Sequence, residues 1–499
     1  MPEHIRALII VVVLSGLSWV ALQPALKNLG AAAQWRAWRL QWFVVTLTAF
    51  LVGNFWIYAA AAGLLLLTRK HDPAAALAAC FLLLFAVPAA SINVPGFGLI
   101  NYFVSVNQPQ LLALLLLVPA SFLLSRQKNT LRLGGTPADK LLLAYVLLVG
   151  LLQLREANLT SSLRGGYYLA IGTVLPYYVA SRAPRDLRDF RVVMLAFVAA
   201  AALLGVLAVF ETLKHWNLYS GMAQALGVFW GLQGYLARDG LLRASGSLGQ
   251  AIVLGYVMAV GLGFWLFLRS GRQPTARTEV PLLMMAGGLA ASLSRGPWVG
   301  AVVMLVVFIW TGPRAARHTA LLVGVAALGM GALSLTPAGQ KILNLLPFIG
   351  NVDEANVTYR QQLLDNALTV IDRHFWLGSV DYLQTPEMQS MIQGQGIIDI
   401  VNSYLGVALD HGAIGLVLFA GIFATLAWQL WRAQRRLPPD DEKRFLGRAL
   451  VATLVGIAVM ISAVSSIGVI PFVYWLVAGL CVAYLDMLKR LTSNPSPAP

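Results

Sequence analysis

Val192-Val-Met-Leu-Ala-Phe-Val-Ala-Ala-Ala-Ala-Leu-Leu-Gly-Val-Leu-Ala-Val-Phe210 contains neither a charge nor a polar side chain. Its length approaches the roughly 20 residues with which an α-helix crosses a bilayer. Apolar residues fill every position instead of alternate ones, so the run reads as a helix and not as a barrel strand. With its flanks it makes a span near 190–212. Working outward, further spans lie near 8–26, 41–68, 74–92, 110–125, 139–154, 166–182, 248–268, 279–293, 296–311, 318–336, 409–432, 445–464 and 468–487. Several are short, and the adjacent pair 279–293 and 296–311 admits a re-entrant arrangement. Backbone groups in lipid must satisfy one another, which limits spanning segments to helices or closed barrels. The fold read from these runs is an all-α polytopic membrane protein with about 12–14 transmembrane helices.

Composition points the same way. Of 499 residues, 58% are hydrophobic and 11% charged, against roughly 25% charged in soluble domains. A soluble protein of this size lacks the interior to hide so much apolar surface. The formal charge of +15 does not indicate nucleic acid, because the charges sit in short loops and no RNA-binding aromatic motif or basic tail accompanies them. Cys80 and Cys481 lie in apolar runs and read as buried thiols, with no disulfide framework and no metal site. The segment Leu8–Leu22 follows a short basic stretch, as a signal peptide would, but lacks a small-residue cleavage site and reads as a retained first helix.

Lys and Arg fall on alternating loops: Arg69 and Lys70; Arg126, Lys128 and Arg132; Arg182, Arg185 and Arg188; Arg269, Arg272 and Arg277; Arg314 and Arg317; Arg432 to Arg444; then Lys489 and Arg490. Cytoplasmic loops carry such an excess. With these loops inside, both termini are expected to be cytoplasmic, and the Pro- and Ser-rich tail after Leu491 disordered. The expected organisation is N-terminal helices over 1–212, a central region over 213–335, a large outer loop over 336–408, and C-terminal helices and tail over 409–499. The large outer loop is too long for an idle linker. Val357, Leu364, Leu368 and Ile371 predict a helix over 356–374. No internal repeat is visible, which argues against a secondary transporter.

Two arginines break the basic-loop pattern. Arg243 precedes a span in Leu242-Arg243-Ala244-Ser245-Gly246-Ser247, and Arg295 sits between two spans in Ser294-Arg295-Gly296-Pro297-Trp298. One reading is an interfacial anchor that snorkels. The other is an anion site, since the guanidinium fork matches phosphate oxygens. Tyr359-Arg360 opens the outer-loop helix, with Asp353 and Glu354 before it, and the loop ends in Gly394-Gln395-Gly396-Ile397-Ile398-Asp399-Ile400-Val401-Asn402-Ser403-Tyr404. Asp399 and Asn402 suit either a helix cap or a site. His411, beside Gly412, suits either an interfacial position or proton transfer.

Arg243-Ala244-Ser245-Gly246 before a span, Ser294-Arg295-Gly296 before another, a large loop opening at Thr358-Tyr359-Arg360, and Asn402-Ser403-Tyr404-Leu405 followed by Gly412-Ala413-Ile414-Gly415-Leu416 resemble the O-antigen ligase and Wzy-type polymerase family of envelope glycosyltransferases. The resemblance is best over about 240–430. It implies a GT-C-like, metal-independent glycosyltransferase without cofactors in the bacterial inner membrane. Its substrate would be an undecaprenyl pyrophosphate-linked glycan, and its partners a flippase and a chain-length regulator. It assigns Arg243, Arg295 and Arg360 to the departing pyrophosphate. Tyr359, Asn402, Tyr404 and His411 would contact substrate. Ligases of the family commonly carry His-Asn where this chain has Val401-Asn402, so Asp399 is the expected substitute base and the form resembles exopolysaccharide polymerases more than ligases. The expected activity is polymerisation of repeat units; ligation to lipid A–core or protein, and transport of lipid-linked sugars, are the alternatives.

Overall fold

A computed structural model describes residues 1–68, 72–98, 100–156, 158–230, 236–238, 240–271, 273, 275–346, 354–393 and 396–493. Arg69, Lys70, Arg272, Asp353, Gly394, Gln395 and the last six residues of the tail lie outside the described residues, as does the side chain of Glu354. The protein is an all-α, multi-pass membrane protein. Among the described residues nine helices are long and apolar enough to cross a membrane, and four shorter apolar helices accompany them. Two short antiparallel hairpins, Ser91–Pro95 with Tyr102–Asn107 and Ala237–Arg238 with Leu241–Leu242, are added to the helices.

The decisive run forms the Leu187–Lys214 helix at the centre of the bundle. Asp186 starts it by accepting the Asp189 N–H at 2.8 Å, and His215 ends it in a left-handed conformation. Its middle is buried on every side. Phe197 meets Phe81, Phe85 and Phe264 edge to face at 5.2–5.3 Å. Helices in lipid gain little from hydrophobicity alone, so such close packing is what joins them. Cys80 and Cys481 are buried free thiols.

One expectation about the spans is corrected, and one open alternative is decided. The run at 41–68 is not one helix but two, Trp35–Leu51 and Phe55–Leu67. Gly53 adopts φ +63, a backbone state that costs a side-chain-bearing residue about 1–2 kcal/mol. Asn54 then caps the second helix by accepting the N–H groups of Trp56 and Ile57 at 2.9 and 3.3 Å. The adjacent pair is not re-entrant. Trp265 of the neighbouring helix donates to Glu279, just before Val280–Ala291, at 3.1 Å, while Ala291 at the other end of that helix bonds the Arg243 loop. Arg295–Trp310 runs beside Glu442–Ile461 from Gly300 against Met460 to Phe308 against Arg448.

The extra break changes the topology. Glu3 accepts the Trp216 indole N–H at 3.0 Å, and Arg6 lies over the same ring. The other end of that first helix, at Asn28 and Leu29, shares a cleft with Arg269 and Glu279. At the opposite terminus, Gly447 packs against both Tyr484 and Gln434, beside the loop 436–441 that Arg432, Arg435, Lys443 and Arg444 flank. The two termini therefore lie at opposite ends of the bundle, which corrects the expectation that both share the cytoplasmic side. Dividing 41–68 reverses the direction of the chain once more before all the later helices. It also moves Lys27, Arg36 and Arg39 to the end that holds the other basic loops.

The outer loop contains the expected helix, at Glu354–Arg373. Its packed stripe is only partly the predicted one: Ile371 packs on the small second core, but Leu363, Ala367 and Val370 are the buried residues, while Val357, Leu364 and Leu368 are exposed. Spacing of i, i+4 and i+7 fits both stripes. The buried one meets Tyr382, Met388, Met391, Leu405 and Leu409 in a small second core. The Arg373–Glu387 ion pair at 2.6 Å and the Asn366 amide on the Glu387 carbonyl at 2.9 Å close this loop on itself.

Candidate functional site

The Leu187–Lys214 helix delivers Glu211 and Thr212 to the end of the bundle opposite the basic loops. Glu211 accepts the N–H groups of Ser245 and Gly246 at 3.1 and 2.8 Å and that of Leu218 at 2.9 Å. The Thr212 hydroxyl donates to the Ala291 carbonyl at 3.2 Å, and the Ala244 N–H donates to the same carbonyl at 3.1 Å. Two turns far apart in sequence, 243–246 and 291–295, are thereby fixed side by side. Gly246 makes the first turn at φ +55, where an added Cβ would also lie 2.6 Å from a Leu204 methyl.

Arg243 bridges the two turns. Its Nη2 donates to the Ser294 hydroxyl at 3.1 Å, while its Nε is buried without a hydrogen-bond partner. Among the described residues it makes no ion pair. Burial first, and the neighbouring Arg238 charge second, lower its pKa to about 10, so it remains cationic at neutral pH. Arg238 donates Nη1 to the Leu293 carbonyl at 2.6 Å. Arg295 opens its helix, half-buried, and donates Nη2 to the Asn344 carbonyl at 3.3 Å. Ser294 precedes that helix but does not cap it; its hydroxyl donates to the Ser292 carbonyl at 2.9 Å. Uncapped N–H groups at a helix start add partial positive charge. Three guanidinium-bearing segments and a helix N-terminus thus converge, an arrangement that attracts phosphate oxygens.

A second group of residues adjoins the first through residues 463–465. An added Cβ on Gly296 would lie 3.8 and 3.9 Å from Ala463 and Val464. The Ser403 hydroxyl donates to the Val464 carbonyl at 2.8 Å. Ser465 donates its hydroxyl to the Asp399 carboxylate. The Tyr359 hydroxyl donates to the Asp399 carbonyl at 3.1 Å and accepts the Asp399 N–H at 3.2 Å. Tyr359 therefore braces Asp399, and Arg360, the next residue, is exposed on the same helix.

The remaining predicted residues are placed differently. Asn402 accepts the N–H groups of Tyr404 and Leu405 at 2.9 and 3.2 Å, which is a helix cap. The Tyr404 hydroxyl donates to the Ala458 carbonyl at 3.1 Å inside the bundle. His411 packs edge to face on Tyr145, with ring centroids 6.0 Å apart. It sits just before Gly412, where the Ser403–Arg435 helix breaks and the Phe375–Ser379 segment bonds across the gap. Arg155 secures that crossing by donating to the Gly378 and Asp410 carbonyls at 3.0 and 3.2 Å.

Sequence reasoning missed Glu211, Arg238, Ser465 and Arg155. Glu211 had a signal, as the carboxylate that ends the most apolar run. Arg155 and Arg238 had the same signal as Arg243, since both stand off the basic loops. Ser465 had none. Among the described residues no group of three or more His, Cys, Asp or Glu side chains is placed to hold a metal ion. A cavity of about 450 Å³ opens at the basic end between Trp38, Asp72, Asp186 and Asp189, away from these arginines.

Residues 280–420 match a family described as O-Antigen ligase. That range includes Arg295, Arg360, Asp399 and the capped helix start. An O-antigen ligase of Pseudomonas aeruginosa is 27% identical over 187 residues, which is 37% of this chain. The match spans 42% of that relative's length. Both findings support a resemblance to the O-antigen ligase/Wzy-type family over part of this chain, a multi-pass helical protein with converging arginines.

Proposed function

We propose that this protein is a membrane glycosyltransferase that joins undecaprenyl pyrophosphate-linked oligosaccharide repeats into a longer exopolysaccharide or O-antigen chain. The observation that carries the reading is Arg243: a cationic, mostly buried guanidinium with an unpartnered Nε, set beside Arg238, Arg295 and an uncapped helix start. In the proposed step an acceptor sugar hydroxyl attacks the anomeric carbon of the donor. The new C–O bond forms as the bond to pyrophosphate breaks, and lipid pyrophosphate leaves with the electron pair. The hydroxyl proton passes to a base, for which Asp399, braced by Tyr359 and Ser465, is the proposed group. Negative charge grows on the leaving pyrophosphate, and preorganised donors at that position favour the transition state over the ground state.

The basic loops are assigned to the cytoplasm by their Lys and Arg excess. The arginine end then faces the outside of a bacterial inner membrane, and Glu3 lies on that outer side. A flippase that delivers the lipid-linked donor and a regulator of chain length are the proposed partners. A second reading is ligation onto lipid A–core or protein, favoured by the names of the matched family and relative. Val401, where the ligase pattern has His, favours polymerisation.

The test incubates purified protein with lipid-linked repeat units and EDTA, with and without a lipid A–core acceptor. A ladder of longer lipid-linked glycans without acceptor supports polymerisation. A single product that appears only with acceptor supports ligation. Absence of both, with substrate verified by a working transferase, sinks the glycosyl-transfer reading.

A further inference from the structure

We infer that Glu211 is the residue that positions Arg243, acting through the backbone of the 243–246 turn. The inference rests on the glycosyl-transfer reading for its consequence but not for its geometry. Glu211 is fully buried in the last turn of the Leu187–Lys214 helix. Among the described residues no Lys or Arg lies within ion-pair distance of it. A carboxylate is costly to bury without a cation. Here it is held by three backbone N–H donors, from Leu218, Ser245 and Gly246.

What these bonds fix is informative. Arg243 has one backbone tether upstream, its N–H on the Leu236 carbonyl at 2.8 Å. Downstream, the two residues after Ala244 are both bound by Glu211. Its neighbour Thr212 holds the Ala291 carbonyl, to which Ala244 also donates. One helix end therefore sets the separation between Arg243 and the Ser294–Arg295 turn. One oxygen takes both Ser245 and Gly246 and the other takes Leu218, so glutamine, with one acceptor oxygen, can keep the turn's two bonds and lose the third. Misplacing a reacting group by about 1 Å is enough to cost ~100-fold in rate. Glu211 need not touch substrate to have that effect.

A thermodynamic cycle on the full-length protein tests this, with Glu211→Ala, Glu211→Gln, Arg243→Ala and the doubles. Two readouts are taken: turnover of lipid-linked repeats, and binding of farnesyl pyrophosphate as a probe that needs no transfer. Glu211→Ala is expected to lose ~100-fold in turnover and to weaken probe binding about tenfold. Glu211→Gln, whose oxygen still takes Ser245 and Gly246, should recover most of both. In the Arg243→Ala background Glu211→Ala should cost nothing more, because its effect passes through that arginine. Additive losses, or Glu211→Ala within about threefold of wild type, would overturn the inference. Should Glu211→Ala not fold, Glu211→Gln decides: turnover and probe binding near wild type support the backbone role, and a ~100-fold loss of turnover in a folded Glu211→Gln overturns it. Coupling in the binding cycle without transfer by wild type would retain the positioning role and remove the glycosyl-transfer reading instead.

Discussion

Replacing Arg243 by alanine separates catalysis from stability. The guanidinium donates once, to the neutral Ser294 hydroxyl at 3.1 Å, and holds a buried Nε in reserve. At neutral pH it is charged, since its pKa of about 10 lies well above 7. Loss of the Ser294 bond removes about 1 kcal/mol of stability. The alanine variant also no longer buries an unpaired cation, which offsets much of that. The folded fraction and Tm should therefore change little. Catalysis should change far more. Removing one preorganised donor from a developing oxyanion typically costs about 2.7–4 kcal/mol, or ~10²–10³ in kcat. Arg243→Lys keeps a charge but not the planar fork, so a loss of at least about tenfold is expected. The assay is turnover of lipid-linked repeats in detergent, with kcat and KM separated and folding followed by size-exclusion chromatography. A kcat for Arg243→Ala within threefold of wild type, or a loss that merely tracks unfolding, would refute the reasoning.

Three further expectations follow from the geometry. Single cysteines at Pro2 and Thr492, in a background with Cys80 and Cys481 replaced by alanine, should differ in labelling: only the first should react with an impermeant maleimide added outside intact cells, and equal reaction would contradict the corrected topology. Gly246→Ala meets both a positive φ and a Leu204 methyl, so it should lose ~1–2 kcal/mol of stability and a larger share of activity. A variant as active as wild type would show that the turn tolerates a shift. Farnesyl pyrophosphate binding should stay within threefold between pH 8 and 9.5 and weaken above about pH 10 as free Arg243 loses its proton. A tenfold loss by pH 9 would indicate another titrating group.

The helical fold was legible because apolar runs in lipid need no partner to declare themselves; Val192–Phe210 is sufficient on its own. The orientation of the first helix was not. It depended on one glycine and one asparagine, Gly53 and Asn54, that divide a run whose hydropathy scarcely dips. Lys27, Arg36 and Arg39 were the available clue, since they stood off the basic side until the division was recognised. The site was partly legible for a similar reason. Arg243 and Arg295 break a charge pattern, and the structure joins their turns. Tyr359 and Asp399 also meet, across forty residues of sequence. Glu211 and Ser465 escaped notice because their roles lie in which backbone groups and side chains they reach, and that is set by tertiary packing. Asn402 shows why sequence left two readings open: a cap and a ligand look alike there, and the structure shows the side chain capping the helix.

The most direct measurement follows both products of one turnover. Purified protein would receive lipid-linked repeats carrying a label in the lipid and another in the glycan, and each would be quantified by mass spectrometry. The account predicts one undecaprenyl pyrophosphate released for every new glycosidic bond, with both signals lost together in Arg243→Ala. Release of lipid pyrophosphate without a new bond, or bond formation undiminished in Arg243→Ala, would contradict it.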